Sequence, residues 1–228
     1  MTTAARTLAA ILLAAGLVAC GGADEAPDAD VAEVLVGSET PELAVSAIVR
    51  AIGQGDEAAL EANTVTDQLG LLALVEGAST ADAVAALGFA SRQVASTFWM
   101  SFANEIRDFI EAGVDGIRIG DVTRVDVPGA RYATVEVAFP LDAANRVFVL
   151  TDRGGWRVDL IATFPGAFVS NIPLAVERAS SPGVDPELLE SIGRQASSLD
   201  ALEALGVDER TAEAIAAARE EIGVGSGG

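Results

Sequence analysis

The chain has 228 residues, with 34 Asp and Glu against 14 basic residues that are all Arg, no His, a single Cys and a formal net charge of −20. A charge of that size repels nucleic acid and anionic surfaces, so nucleic acid is not expected as a partner. Without His, Lys or a second Cys, Ser–His and Cys–His pairs, Schiff-base lysines, disulfides and His or Cys metal sites are excluded, and no cofactor is implied.

At the start, Arg6 precedes the apolar run Leu8 to Val18, followed by Ala19-Cys20-Gly21-Gly22. A run this short falls well below the roughly 20 residues needed to span a bilayer as a helix, so it reads as a secretory signal core. Leu17-Val18-Ala19-Cys20 resembles the lipobox of bacterial lipoproteins. That resemblance implies loss of residues 1–19 as a lipoprotein signal peptide and a diacylglycerol on the Cys20 thiol. It also implies a lipid-anchored body at the cell membrane or outer membrane, facing outside the cytoplasm. A second acyl chain gives stable anchoring where one does not. Residues 20–39 are small and acidic without apolar periodicity, as expected of a flexible tether.

The globular part, read as an α+β domain over residues 40–179, opens with Thr40 as N-cap and Pro41 at the first helical position, with Leu43, Ala47, Ile48 and Ile52 near one face. Gly53 and Gly55 stop this helix. Asp56 starts a short second helix through Leu60, and short helices with breaks at Gly70 and Gly77 are expected between Val65 and Leu87. The strongest pattern runs from about Ser91 to Ala112, where Val94, Phe98, Phe102, Ile106 and Ile110 recur at i, i+4 and Trp99 and Phe109 widen the stripe.

From Asp115 the period changes to two. Ile117 to Val127 reads as a strand bending near Gly120, Pro128-Gly129 as a turn, and Tyr132 to Phe139 as a strand with Ala133, Val135, Val137 and Phe139 on one face. Val147 to Leu150 reads as a central strand, and Asp152-Arg153-Gly154-Gly155 as a hairpin turn. A fourth strand is expected from Trp156 through Phe164. The result is a curved antiparallel four-strand meander with one face buried by the preceding helices. A helix from about Ala167 to Glu177 follows, then a C-terminal helical hairpin over residues 180–222 broken at Gly206, and a flexible tail at 223–228.

Helices, a long aromatic helix and a meander ending in Arg153-Gly154-Gly155-Trp156-Arg157-Val158-Asp159 are together similar to the nuclear transport factor 2-like superfamily, the cystatin-like cone fold. The resemblance spans roughly Thr40 to Phe164. It implies a cone whose open end serves as an active site, a ligand pocket or a partner surface. Enzymes of that superfamily use an acid or a histidine inside the cone, and this chain has no His.

Two sets of residues are the candidates for a site. Tyr132, Glu136, Arg157 and Asp159 are expected to share the sheet face opposite the core, forming either an open mixed-charge surface or ordinary solvent-facing cross-strand pairs. Phe98, Trp99, Phe102 and Phe109 either line a pocket for a small apolar ligand or fill the core. Leu199 to Ile222 faintly resembles a helix-hairpin-helix module, but its acidic turn at Gly206-Val207-Asp208-Glu209 would repel phosphate. The expectation is a membrane-anchored, non-enzymatic module binding an envelope protein or a small apolar ligand. The alternatives are a carboxylate-dependent enzyme with its site inside the cone and a structural envelope assembly protein.

Overall fold

The computed structural model describes residues 37–76, 116–139, 145–181 and 186–225. Cys20, the tether and the expected Ser91–Ala112 helix, with Phe98, Trp99, Phe102 and Phe109, lie outside those residues. The described part is α+β, with helices before and after a four-stranded antiparallel sheet, and belongs to one compact unit, Leu35–Gly228. Among the described residues no helix is long and apolar enough to cross a membrane.

Helix α1 (Pro41–Gln54) starts where expected, because Thr40 Oγ1 accepts from the Leu43 amide at 3.3 Å and Pro41 presets the first turn. It ends at Gly55, whose φ of +66° favours glycine. Its buried line is Ala44, Val45, Ile48 and Ala51, whereas Leu43 is 53% exposed. The expected stripe is thus displaced by one position: the small side chains of Ala44 and Ala51 turn inward, where α1 crosses β1, β2 and β4. Helix α2 (Glu57–Ala62) is capped by Asp56, and a 3₁₀ turn (Thr66–Gln68) leads into α3 (Leu69–Glu76). Gly70, expected as a break, is buried inside α3, since a packed helix tolerates one glycine at a cost of about 1 kcal/mol.

The strands β1 (Arg118–Val127), β2 (Ala130–Ala138), β3 (Arg146–Asp152) and β4 (Trp156–Val158) pair in sequence order. A register shift between Ile119 and Val122 puts a bulge at Gly120, where the bend is expected. In the β3–β4 hairpin, Asp152 Oδ1 accepts from the amides of Gly154 and Gly155, both at 3.1 Å. Ala133, Val135 and Val137 are fully buried on one face, as their alternation predicts. The opposite face corrects the expectation: Tyr132 is 1% and Thr134 9% exposed, so the centre of the sheet is covered on both sides. Val147, expected in a strand apolar on both sides, is 46% exposed.

Strand β4 ends at Val158, six residues short of the expected strand end at Phe164. Asp159 leaves the sheet and caps a helical turn, α4 (Leu160–Thr163). Leu160, Ile161 and Ala162 are all buried there, which a strand alternating between two faces would not achieve with one covering layer. In place of one helix from Ala167 to Glu177 there are α5 (Pro165–Phe168), a 3₁₀ turn (Val169–Asn171) and α6 (Ile172–Ala179), with Pro165 and Pro173 each at a helix start. Helices α7 (Pro186–Gly193), α8 (Ala196–Leu205) and α9 (Glu209–Gly225) follow, with Gly206 at φ +75° ending α8. Helices α7 and α9 pack on α6, while α8 packs on β1 and α4, so Leu188, Ile192, Leu199, Leu202 and Ile215 join the core that also holds the sheet.

The outer edge of β4 is closed by two single-residue bridges, Ser38 with Trp156 and Thr64 with Val158. Gly37 leads into the first at φ +58°, and a Cβ there would lie 2.8 Å from the Gly155 carbonyl carbon. Gly37→Ala is therefore expected to lower the unfolding free energy by about 1–3 kcal/mol in a urea titration. Gly55→Ala, at φ +66° with nothing within 4 Å of the new Cβ, is expected to cost only the backbone strain, about 1 kcal/mol.

Candidate functional site

The chemistry-bearing residues that the fold gathers are polar and fully buried. Asp159 is 0% exposed and held at both backbone and side chain: its amide donates to the Val149 carbonyl at 2.8 Å, fixing it beside β3. Its Oδ1 accepts from the Ala162 amide at 2.9 Å and from Gln68 Nε2 at 3.0 Å. Its Oδ2 accepts from Tyr132 Oη at 3.0 Å and Ser198 Oγ at 2.6 Å. Four donors from four segments thus surround one carboxylate, which is what a buried negative charge requires.

Gln68 is equally committed. Its Oε1 accepts from the amides of Leu160 at 2.6 Å and Ile161 at 3.3 Å, which fixes which end of the carboxamide is oxygen. Its Nε2 lies 3.0 Å from Asp159 Oδ1, 3.1 Å from Gln195 Oε1 and 3.1 Å from Ser198 Oγ. Gln195 Nε2 in turn donates to Asp67 Oδ2 at 3.0 Å and to the Ser191 carbonyl at 3.2 Å. The network approaches solvent at Asp67, which pairs with Arg153 at 3.5 Å, and at the half-buried Ser197. Ser197 Oγ lies 3.2 Å from Tyr132 Oη.

Burial, and then the charge of Asp159, push the Tyr132 phenol up to about 12. At neutral pH it is therefore a hydrogen-bond donor and not a base. Ser198, Gln195 and Gln68 are 0–1% exposed, so none of them meets an external substrate. Among the described residues no group of three or more Asp, Glu or Cys is placed to hold a metal ion.

Of the four expected sheet-face residues, the structure brings two together. Tyr132 and Asp159 are hydrogen-bonded in the core, which corrects the reading of both as surface groups. Glu136 is exposed and accepts from Asn145 Nδ2 at 3.0 Å. Arg157 is half-buried on β4, opposite Thr151 in register. The sequence reading missed Gln68, Gln195 and Ser198. A signal for two of them is present: Ser191, Gln195 and Ser198 recur at helical spacing among Leu188, Ile192, Leu199 and Leu202, a polar line inside an apolar face.

A separate hollow of ≈ 240 Å³ is lined by Arg146, Val147, Phe148, Thr163 and Phe164. The Phe148 and Phe164 rings meet edge to face at 6.4 Å, and Thr163 Oγ1 is already bonded to the Val149 amide and carbonyl. It is smaller than typical ligand cavities, which run from about 300 Å³ upward.

Two measurements check the network. The sole tyrosine gives an unambiguous phenolate absorbance. Its titration midpoint is expected near 12 in the folded protein, against about 10 in an unfolded chain. Because the folded state holds that proton longer, the associated stability is complete below pH 10. It is lost as pH rises towards 12, by about 2–3 kcal/mol, and this loss is expected to vanish in Tyr132→Phe. Asp159→Ala is expected to leave Gln68, Tyr132 and Ser198 short of their acceptor and to lower the unfolding free energy by about 3 kcal/mol or more in denaturant titration.

Compared with models of known protein families, with curated proteins and with solved structures, the chain matches none.

Proposed function

We propose that this protein is an exported bacterial lipoprotein, tethered through acylated Cys20, whose folded body is a non-enzymatic module for docking an envelope protein. The address rests on Leu17-Val18-Ala19-Cys20 after the apolar run, and on the acidic spacer that follows it. The observation that carries the non-enzymatic half is the inward turn of the polar cluster. Asp159, the one wholly buried carboxylate of the described residues, is saturated by four donors, and the groups around it are spent on one another. A general acid or base must reach a substrate proton, and this carboxylate reaches none.

A protein partner is favoured over a small apolar ligand because the described hollow is small and its threonine is already bonded. The nuclear transport factor 2-like reading of Thr40 to Phe164 stays part of the proposal. It is supported by the order of helices and four-strand meander, and by the hairpin at Asp152 to Gly155.

The first test is metabolic labelling with a palmitate analogue in a bacterial host, followed by membrane fractionation. The wild-type chain is expected to carry the label and to sediment with membranes. Cys20→Ser is expected to lose both. An unlabelled wild-type chain still beginning at Met1 would falsify the address. For the docking role, chemical crosslinking in intact membranes is expected to return one neighbour in fixed stoichiometry, whereas a bound small molecule in native mass spectrometry would favour the ligand reading.

A further inference from the structure

Among the described residues the sheet is closed along β4 by the bridges at Ser38 and Thr64, and open along β1. The direction of the β1 backbone groups follows from alternation across the sheet. Val149 turns its carbonyl to the Asp159 amide and its amide to Thr163 Oγ1, away from β2. Opposed residues of an antiparallel ladder alternate between bonded and non-bonded pairs, so Thr134, opposite Val149, exchanges its bonds with Thr123 of β1 instead. Thr123, Val125 and Val127 therefore face β2, and Val122, Arg124 and Asp126 point their amides and carbonyls outward. Among the described residues these outward groups meet no hydrogen-bond partner.

A row of this kind is a template for another strand. The bulge at Gly120 precedes it and leaves Val122 to Val127 in regular register. Helices α1 and α8 both pack on β1, yet Thr123, Arg124 and Asp126 stay exposed. The charge of the strand also departs from that of the chain. Against a total of −20, β1 carries Arg118 and Arg124 with Asp121 and Asp126, and is neutral. A second copy approaching along β1 thus meets no net repulsion from the strand itself.

We propose that two copies of this chain pair antiparallel through β1, about a two-fold axis at Val125, and join their sheets into one. The pairing goes beyond the docking role and does not depend on it. Hydrogen bonding requires outward residues to oppose outward residues, and for more than one such pair to form within Val122–Asp126 the axis must pass through Thr123, Arg124 or Val125. At Thr123, Arg124 opposes Val122 and no charges pair. At Arg124, the two guanidinium groups meet head on, which is destabilising. At Val125, Arg124 of each copy opposes Asp126 of the partner subunit, so both pairs are complementary, with Cβ atoms about 5 Å apart. Each pair also exchanges its N–H···O bonds in both directions. Arg124 keeps its place 4.6 Å over the Trp156 ring, since stacking uses the face of a guanidinium and ion pairing its edge. With the β4 edges bridged, the assembly closes as a dimer.

The test is analytical ultracentrifugation of the full chain carrying Cys20→Ser, so that neither the thiol nor a lipid contributes to association. A dimer is expected at about 0.1 mM protein. Arg124→Asp and Asp126→Arg each place like charges opposite one another twice, and each is expected to weaken association by about tenfold or more. Mixing the two variants makes every opposed pair complementary and is expected to restore the dimer. Val125→Cys in the same background is expected to crosslink across the axis under mild oxidation, because non-bonded opposed residues lie within disulfide reach, and Thr123→Cys is not. A chain that stays monomeric overturns the proposal, as do species larger than a dimer. So does a dimer indifferent to both charge reversals, a mixture of the two that stays monomeric, or a dimer in which Val125→Cys fails to crosslink.

Discussion

A single buried carboxylate sets the terms for the rest of this fold. An ionised Asp159 in an apolar core is tolerable only if donors replace its water, and those donors come from the 3₁₀ turn before α3, from β2, from α4 and from α8. Each donor fixes the position of its element. The short β4 follows from this, because the residue after Val158 must turn out of the sheet to aim its side chain at Tyr132. The covering of the second sheet face follows as well, since Ser197 and Ser198 reach the cluster only if α8 lies across it. A polar core of this kind trades raw burial for a single arrangement of its parts, because any other packing leaves donors and acceptors unmet.

Much of the architecture was legible because local chemistry decides it. Thr40-Pro41 starts α1, Gly206 stops α8, Pro128-Gly129 and Asp152 to Gly155 close their hairpins, and the alternation of Ala133, Val135 and Val137 identifies an inward face. What was not legible depends on partners distant in sequence. Period-two patterning tells which residues share a face, but not whether that face is wet. Tyr132 looked like a surface group because nothing near it in sequence announces α8, which arrives more than sixty residues later. Asp159 looked like one more alternating residue of a strand, and only the company of Gln68 and Ser198 explains why it caps a helix instead. Leu43 shows the same limit on a smaller scale, since two adjacent stripes of α1 are nearly equally apolar and the neighbouring sheet chooses between them.

The surface around the cluster is organised differently from its interior. Arg124 and Arg131 stack over Trp156, 4.6 and 5.9 Å from its ring centre, and Arg131 also pairs with Asp152, so scarce cations of a strongly acidic chain are gathered on the hairpin side. Arg219 bridges Asp200 at 2.5 Å and Glu203 at 2.8 Å, linking α9 to α8. These exposed contacts are salt-sensitive and individually weak. The buried network, shielded from ions, is the part of the structure that keeps its shape when ionic strength changes.

The position of Ser198 has a temporal consequence. The cluster cannot close until the chain through α8 is present, because Asp159 and Gln68 find their remaining partners only there. A ribosome-bound chain lacking that helix holds its future core open, with Tyr132 and Asp159 still hydrated. Contacts between segments this far apart also form slowly, since the intervening chain must first be brought together. A lock whose last piece arrives only with Ser198 keeps the segments before it loose until that helix has joined them.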